Sequence, residues 1–157
     1  MFDKVVMNMS IIQAQETIRK NIGGPFGAAI VGPDRKIISV ASNTVLGSHD
    51  PTAHAEINAI REACKRLGTH DLSGYTLYTT AYPCPMCLSA IIWANIKTVY
   101  YGCTAKDAEE IGFRDDFIYR FIEDGCKDKH TLDMEQLHRE SCLELFKEYS
   151  KDNKQLY

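Results

Sequence analysis

Two short segments hold most of the side chains able to do chemistry. One is Asp50-Pro51-Thr52-Ala53-His54-Ala55-Glu56, the other Pro83-Cys84-Pro85-Met86-Cys87, with 26 residues between Glu56 and Pro83. Cys84 and Cys87 stand three apart, so at a helix start both sulfurs can face one point. A helix N-terminus favours thiolate, the form that binds metal. Pro85 suits the first helical turn, where its missing N–H costs nothing. His54 reads as the start of another helix, with Thr52 as its cap. A positive helix end disfavours imidazolium and keeps His54 neutral for metal binding.

Two thiolates and one imidazole are three ligands. A zinc ion so held keeps a fourth position for water or hydroxide, the catalytic rather than the structural pattern. His54 and Glu56 are two apart, so both reach one metal only if it lies beyond the N-terminal end of their helix. The spacing therefore predicts one zinc per chain between two helix N-termini, held by His54, Cys84 and Cys87. Glu56 would stand beside the zinc-bound water as proton carrier. Zinc lowers the pKa of such a water from about 16 to about 7.

Other uses of these residues exist. A Cys-x-x-Cys can be a redox pair, which would not need His54 and Glu56. It can be half of a structural zinc site, whose fourth ligand would come from Cys64, Cys103, Cys126 or His49. Otherwise Cys64, Cys103, Cys126 and Cys142 read as buried small apolar residues. His49, His70, His130 and His138 read as ordinary surface or core histidines.

The elements that must position this group follow from periodicity. Residues 4–20 read as a helix. Apolar runs at 26–31 and 36–41 flank Gly32-Pro33-Asp34, a hairpin signal. Ile57, Ile60, Cys64 and Leu67 mark one face of a helix at 53–67. Strands are predicted at 75–79 and 98–102, on either side of an apolar helix at 84–94. A short helix at 104–111 and a last strand at 117–122 follow. A helix at 133–149 carries Met134, Leu137, Ser141, Leu145 and Tyr149 on one stripe. The order implies an α/β fold, a three-layer αβα sandwich with a mixed five-stranded sheet and helices on both faces. Right-handed crossovers would set the helices at 53–67 and 84–94 side by side on one face.

The chain of 157 residues suits one domain, 1–157. Its 18 Lys and Arg against 21 Asp and Glu leave a net charge of −3, with 45% hydrophobic residues. That balance argues against nucleic acid as the main partner. Residues 1–22 carry Asp3, Lys4, Glu16, Arg19 and Lys20, an amphipathic helix and not a signal peptide. No apolar run approaches the roughly 18 residues of a membrane span. The expected place is the cytoplasm, where a disulfide framework is not expected.

The two segments match the H-x-E…P-C-x-x-C signature of zinc deaminases. From about residue 21 onward the chain resembles the small bacterial guanine deaminases of the cytidine deaminase superfamily. The resemblance lies in Ile22-Gly23-Gly24-Pro25-Phe26-Gly27, Asp50 to Glu56, Pro83 to Cys87, Ala90-Ile91-Ile92-Trp93-Ala94, Gly112-Phe113-Arg114-Asp115-Asp116-Phe117-Ile118-Tyr119 and the closing Tyr157. It implies a cytidine deaminase-like fold and a reaction in which zinc-bound hydroxide attacks C2 of guanine, giving xanthine and ammonia. It further implies that Glu56 shuttles the proton and that Asp115 helps protonate the leaving amine. Asp116 is adjacent, and spacing alone does not choose between them. Asn43 would hydrogen-bond the base, Phe26 and Trp93 would wall the pocket, and Tyr157 would close it from a C-terminal tail at 150–157. The resemblance also implies a homodimer in which the C-terminal segment crosses to its neighbour. One departure stands out: members commonly carry Glu before the Pro-Cys pair, and this chain has Tyr82.

Other substrates share this zinc chemistry. Guanosine, cytosine and cytidine are small alternatives. A tRNA adenosine deaminase would need a basic surface, yet Lys127, Lys129, Lys147, Lys151 and Lys154 are interspersed with acids. A structural zinc module that binds a partner is the non-enzymatic alternative.

Overall fold

Alternation of side-chain direction along the strands decides which helix covers which face. The computed structural model describes residues 1–151 and 155–157, in two units, Met1–Asp116 and Phe117–Tyr157. The first unit holds strands β1 (Gly27–Val31), β2 (Ile37–Ser42), β3 (Thr76–Ala81) and β4 (Thr98–Cys103) in the order β2-β1-β3-β4. β1 runs antiparallel to β2 and β3, while β3 and β4 are parallel. The sheet is mixed, as expected, but has four strands rather than five.

Every residue of β1 is buried, which requires cover on both faces. Ala28, Ile30 and Leu77 turn to one face. There they meet Ala55, Ala59 and Ala63 of one helix, Ala55–Leu67, and Ile91 of another, Pro85–Trp93. Ala29, Val31 and Tyr78 turn to the opposite face and pack with Val6 of helix α1, Phe2–Lys20. This gives the αβα layering. In chain order α1 is followed by a one-turn helix α2 (Val45–Ser48), then α3 (Ala55–Leu67), α4 (Pro85–Trp93) and α5 (Ala105–Glu110). α3 and α4 touch one another on the same face, as the crossover argument requires.

Two helices lie close to the sheet because their facing residues are small. Ala55, Ala59 and Ala63 of α3 are fully buried. On α1 the buried positions are Val6, Ser10, Ala14 and Thr17. A Cβ at Gly27 would fall 1.9 Å from the Ser10 carbonyl oxygen, so only glycine admits α1 at this separation. α3 ends at Gly68, whose φ of 68° is the left-handed cap that glycine supplies at least cost.

The Phe117–Tyr157 unit corrects two expectations. Residues 117–122 do not form a fifth strand; they belong to helix α6, Asp116–Glu123. Their β-branched and aromatic side chains suggest strand, but Phe117, Ile118, Phe121 and Ile122 recur at helical spacing, and Asp116 favours a helix N-terminus. The last helix, α7, is Arg139–Lys151, not 133–149. His138 takes a left-handed φ of 52°, which breaks any helix arriving from Met134 and Leu137. Of the tail expected at 150–157, Ser150 and Lys151 end α7, and residues 152–154 lie outside the described residues. No helix among the described residues is long and apolar enough to cross a membrane.

Candidate active site

His54 and Cys84 are the residues immediately before α3 and α4. Both are extended, with φ/ψ of −69°/158° and −66°/168°. Neither helix start has a side-chain cap, so the first N–H groups of each helix lend positive potential to the space beyond it. Thr52 is therefore not the cap of α3. Its N–H and hydroxyl instead donate to Asp50 Oδ1, and Arg61 donates to both residues. That arrangement fixes the turn leading into His54.

The two helix starts converge. His54 Nδ1 lies 3.5 Å from Cys84 Sγ and 3.6 Å from Cys87 Sγ, and the three donor atoms lie within 4.8 Å of one another. Pro85 occupies the first turn of α4, and Cys87, one turn in, is buried. The donor set fits zinc, for which two thiolates and an imidazole leave one position open. Cys64, Cys103 and His49 do not join the group, and Cys126 belongs to the C-terminal unit.

The protons on these ligands are displaced from their ordinary places. Cys84 is drawn down to about 4, chiefly by the hydrogen bond from Cys87. The same bond and burial push Cys87 up. His54 is raised, first by its hydrogen bond with Cys84. The sign differs from the helix-end expectation because the contact with sulfur outweighs burial, which acts to lower it. A divalent cation competes for the atoms that share these protons.

Glu56, in the first turn of α3, is 6% exposed. Burial raises its pKa. Its Oε1 lies 3.3 Å from Thr79 Oγ1, and Cys87 Sγ donates to its Oε2 at 3.5 Å. His54, extended just before the helix, and Glu56, inside its first turn, thus reach the same place despite their spacing of two.

Asn43 is buried beside the Gly23-Gly24 segment. Its Oδ1 accepts the N–H groups of Gly24 at 3.3 Å and Val45 at 3.1 Å, and its own N–H donates to the Phe26 carbonyl. A Cβ at Gly23 would fall 2.2 Å from the Asn43 carbonyl oxygen and 2.5 Å from Oδ1. Gly23→Ala must therefore displace the amide. If the amide holds the substrate, as the family resemblance implies, KM should rise roughly tenfold, the loss of about one hydrogen bond, with zinc content unchanged. Phe26 meets Phe113 edge to face, centroids 4.9 Å apart at 86°. Phe113, from the 112–115 loop, is a neighbour that sequence reasoning missed.

Asp115 and Asp116, equivalent by spacing, differ in surroundings. Asp116 accepts from Arg114 Nε at 3.3 Å and Nη2 at 3.2 Å. Asp115 is part-buried, and its pKa is raised by burial and then by the Cys84 charge. Trp93 is not brought to the metal-ligand group. It is 69% exposed at the last residue of α4, about 12 Å along the helix from Pro85. Tyr82 is exposed, and its ring packs edge-on against Tyr101 of β4, at 5.1 Å. Tyr157 belongs to the C-terminal unit and is exposed.

Comparison with known proteins matches this geometry. Residues 1–103 match the cytidine and deoxycytidylate deaminase zinc-binding region. The chain is 50% identical over 117 residues to guanine deaminase of Bacillus subtilis (strain 168), covering 74% of each. The crystal structure of guanine deaminase from Bacillus subtilis superposes with a TM-score of 0.90 at 43% identity, covering 98% of both chains. The tRNA-specific adenosine deaminase of Haemophilus influenzae is 38% identical over 110 residues, covering 70% of this chain and 61% of that protein. The guanine deaminase likeness extends through the C-terminal unit as well, and the chain belongs to the cytidine and deoxycytidylate deaminase family, on its guanine deaminase branch.

Proposed function

We infer that the chain is a zinc-dependent hydrolase that deaminates guanine to xanthine and ammonia. The zinc chemistry is carried by the meeting of two thiols, an imidazole and a buried carboxylate at paired helix N-termini, and the choice of guanine is supported by the likeness to guanine deaminase. His54, Cys84 and Cys87 are the proposed ligands of one zinc. When bound, zinc supplies a nucleophilic oxygen at neutral pH by acidifying water.

The chain's own side chains do the rest. Glu56 takes a proton at its carboxylate from the attacking water and returns it to the ring. Asn43, whose Oδ1 is engaged by two backbone N–H groups, presents its Nδ2 as donor to an acceptor on the base. Phe26, braced by Phe113, offers a flat apolar face to a purine. Asp115 protonates the leaving amine, because Asp116 is engaged by Arg114 and Asp115 is not. Asp115→Asn should lower kcat about a hundredfold, within the range for general acid catalysis. Asp116→Asn should stay within about threefold, since exposed ion pairs contribute little. Equal losses in the two variants would reverse this assignment. Tyr157 as a cover and Trp93 as a wall rest on the resemblance.

We further propose a cytoplasmic homodimer without a nucleic-acid partner, in which the C-terminal segment is exchanged. The cytoplasm suits six free cysteines, two of them ligands. Exposed apolar residues on β4 and α4, among them Ile92, Trp93, Tyr100 and Tyr101, supply area for an interface, as do Leu145 and Phe146 of the C-terminal unit. Light scattering at micromolar concentration should return twice the 17.7 kDa chain mass; a monomer would remove the dimer. The functional reading is tested by ammonia release from guanine, guanosine, cytosine, cytidine and adenine, with zinc measured on the same sample. Guanine should be turned over. Turnover of cytidine or adenine without guanine would overturn the reading.

A further inference from the structure

β3 alternates between two faces. Leu77 faces the α3 side, and Thr79 and Ala81 share its parity along the strand. The position is 1% exposed, where valine would have the same shape without a polar atom. A buried hydroxyl is costly unless its bonds are made, and this one has two partners. Oγ1 lies 3.0 Å from the Ala81 carbonyl oxygen and 3.3 Å from Glu56 Oε1. The hydroxyl has one hydrogen and two lone pairs, so it can serve the two oxygens in two ways. With its hydrogen toward Glu56, it donates to a carboxylate. With its hydrogen toward Ala81, it presents a lone pair to a carboxylic acid.

The other side chain on Glu56 cannot do this. Cys87 Sγ donates to Oε2 as a thiol, but a cysteine that binds zinc is a thiolate and has no hydrogen to give. With Cys87 as a ligand, Thr79 is the side chain among the described residues that holds the Glu56 carboxyl by hydrogen bonding in both of its forms.

We propose that Thr79 is a positioning residue for Glu56, its hydroxyl set between the Ala81 carbonyl and Glu56 Oε1 so that the carboxyl keeps one orientation in the site. The proposal rests on the reading of Glu56 as proton carrier. The proton itself moves between water, Glu56 and the base. The Thr79 hydrogen stays on Oγ1, so no bond to it is made or broken.

The test compares Thr79→Val, Thr79→Ser and Thr79→Ala with the zinc-loaded parent, measuring kcat and KM for guanine, zinc per chain and Tm. Thr79→Val should lower kcat roughly ten- to hundredfold, the loss of one hydrogen bond to a charged group. KM and zinc content should stay within about threefold of the parent. Thr79→Ser should restore kcat to within about threefold. A purely structural role would lower Tm and zinc content and leave kcat per bound zinc unchanged, and that outcome overturns the proposal. So does a Thr79→Val variant with parental kcat. If Thr79→Val does not fold, the Ser and Ala variants, which differ by the hydroxyl alone, decide: equal kcat overturns the proposal, and a tenfold gap supports it. Failure of the parent to release ammonia from guanine would instead overturn the functional reading, so the two are separable.

Discussion

Glu56→Gln should abolish ammonia release from guanine while leaving zinc content at the parental level. The amide matches the carboxylate in shape but cannot take a proton. General acid–base catalysis contributes about 10²- to 10⁴-fold. In the proposed role one residue moves the proton both away from water and onto the ring, so the upper part of that range is expected, about 10³- to 10⁴-fold in kcat. Folding should not suffer. Glu56 is buried and its pKa is raised by burial, so neutralising it removes a charge that the interior disfavours. A Tm equal to or above that of the parent is the expected companion result. Parental activity in this variant would remove Glu56 from the mechanism, and loss of zinc would make it a structural neighbour of the ligands instead.

Cys87→Ser should lose zinc, activity and part of the stability together. Removing a hydrogen-bond partner of a metal ligand already costs about 10- to 100-fold in metal affinity, so removal of a ligand sulfur should cost more than about a hundredfold. Metal bound to the native state alone adds about 2.7 kcal/mol when free zinc is a hundred times Kd. In a chain of this size that is about 5–10 °C in Tm. The parent should therefore gain stability when zinc is added after chelation, and Cys87→Ser should not. Cys103→Ser, at an exposed position, is the control and should respond to zinc as the parent does. A zinc-dependent Tm rise in Cys87→Ser equal to that of the parent would exclude this sulfur from the site.

The ligand group was legible because its geometry is local. A Cys-x-x-Cys at a helix start and a His ahead of another need only the helix period to predict where their donors point, and the structure brings the three donor atoms together. Most boundaries in the first 110 residues also followed from periodicity, as with the stripe of Ile57, Ile60 and Cys64. What stayed hidden depends on chain crossings. Phe113 meets Phe26 across 87 positions of sequence, whereas the contact of Arg114 with Asp116 is local but set by a side-chain rotamer that spacing does not encode. Thr79 left a trace, a hydroxyl at the inward parity of an apolar strand, but its partner lies on another element. The 117–122 segment misled because composition and spacing disagreed. Its residue types favour strand and its pattern favours helix, and the pattern prevailed.

The three buried alanines of α3 have a bearing on how such a chain can change. They meet the sheet through methyl groups, at a packing density where one added carbon is felt. A larger residue at Ala59 or Ala63 would lift the helix and tilt the end that carries His54 and Glu56, moving the reacting groups although it touches neither. Tolerance to substitution along this helix should thus be lowest at its smallest, chemically silent side chains.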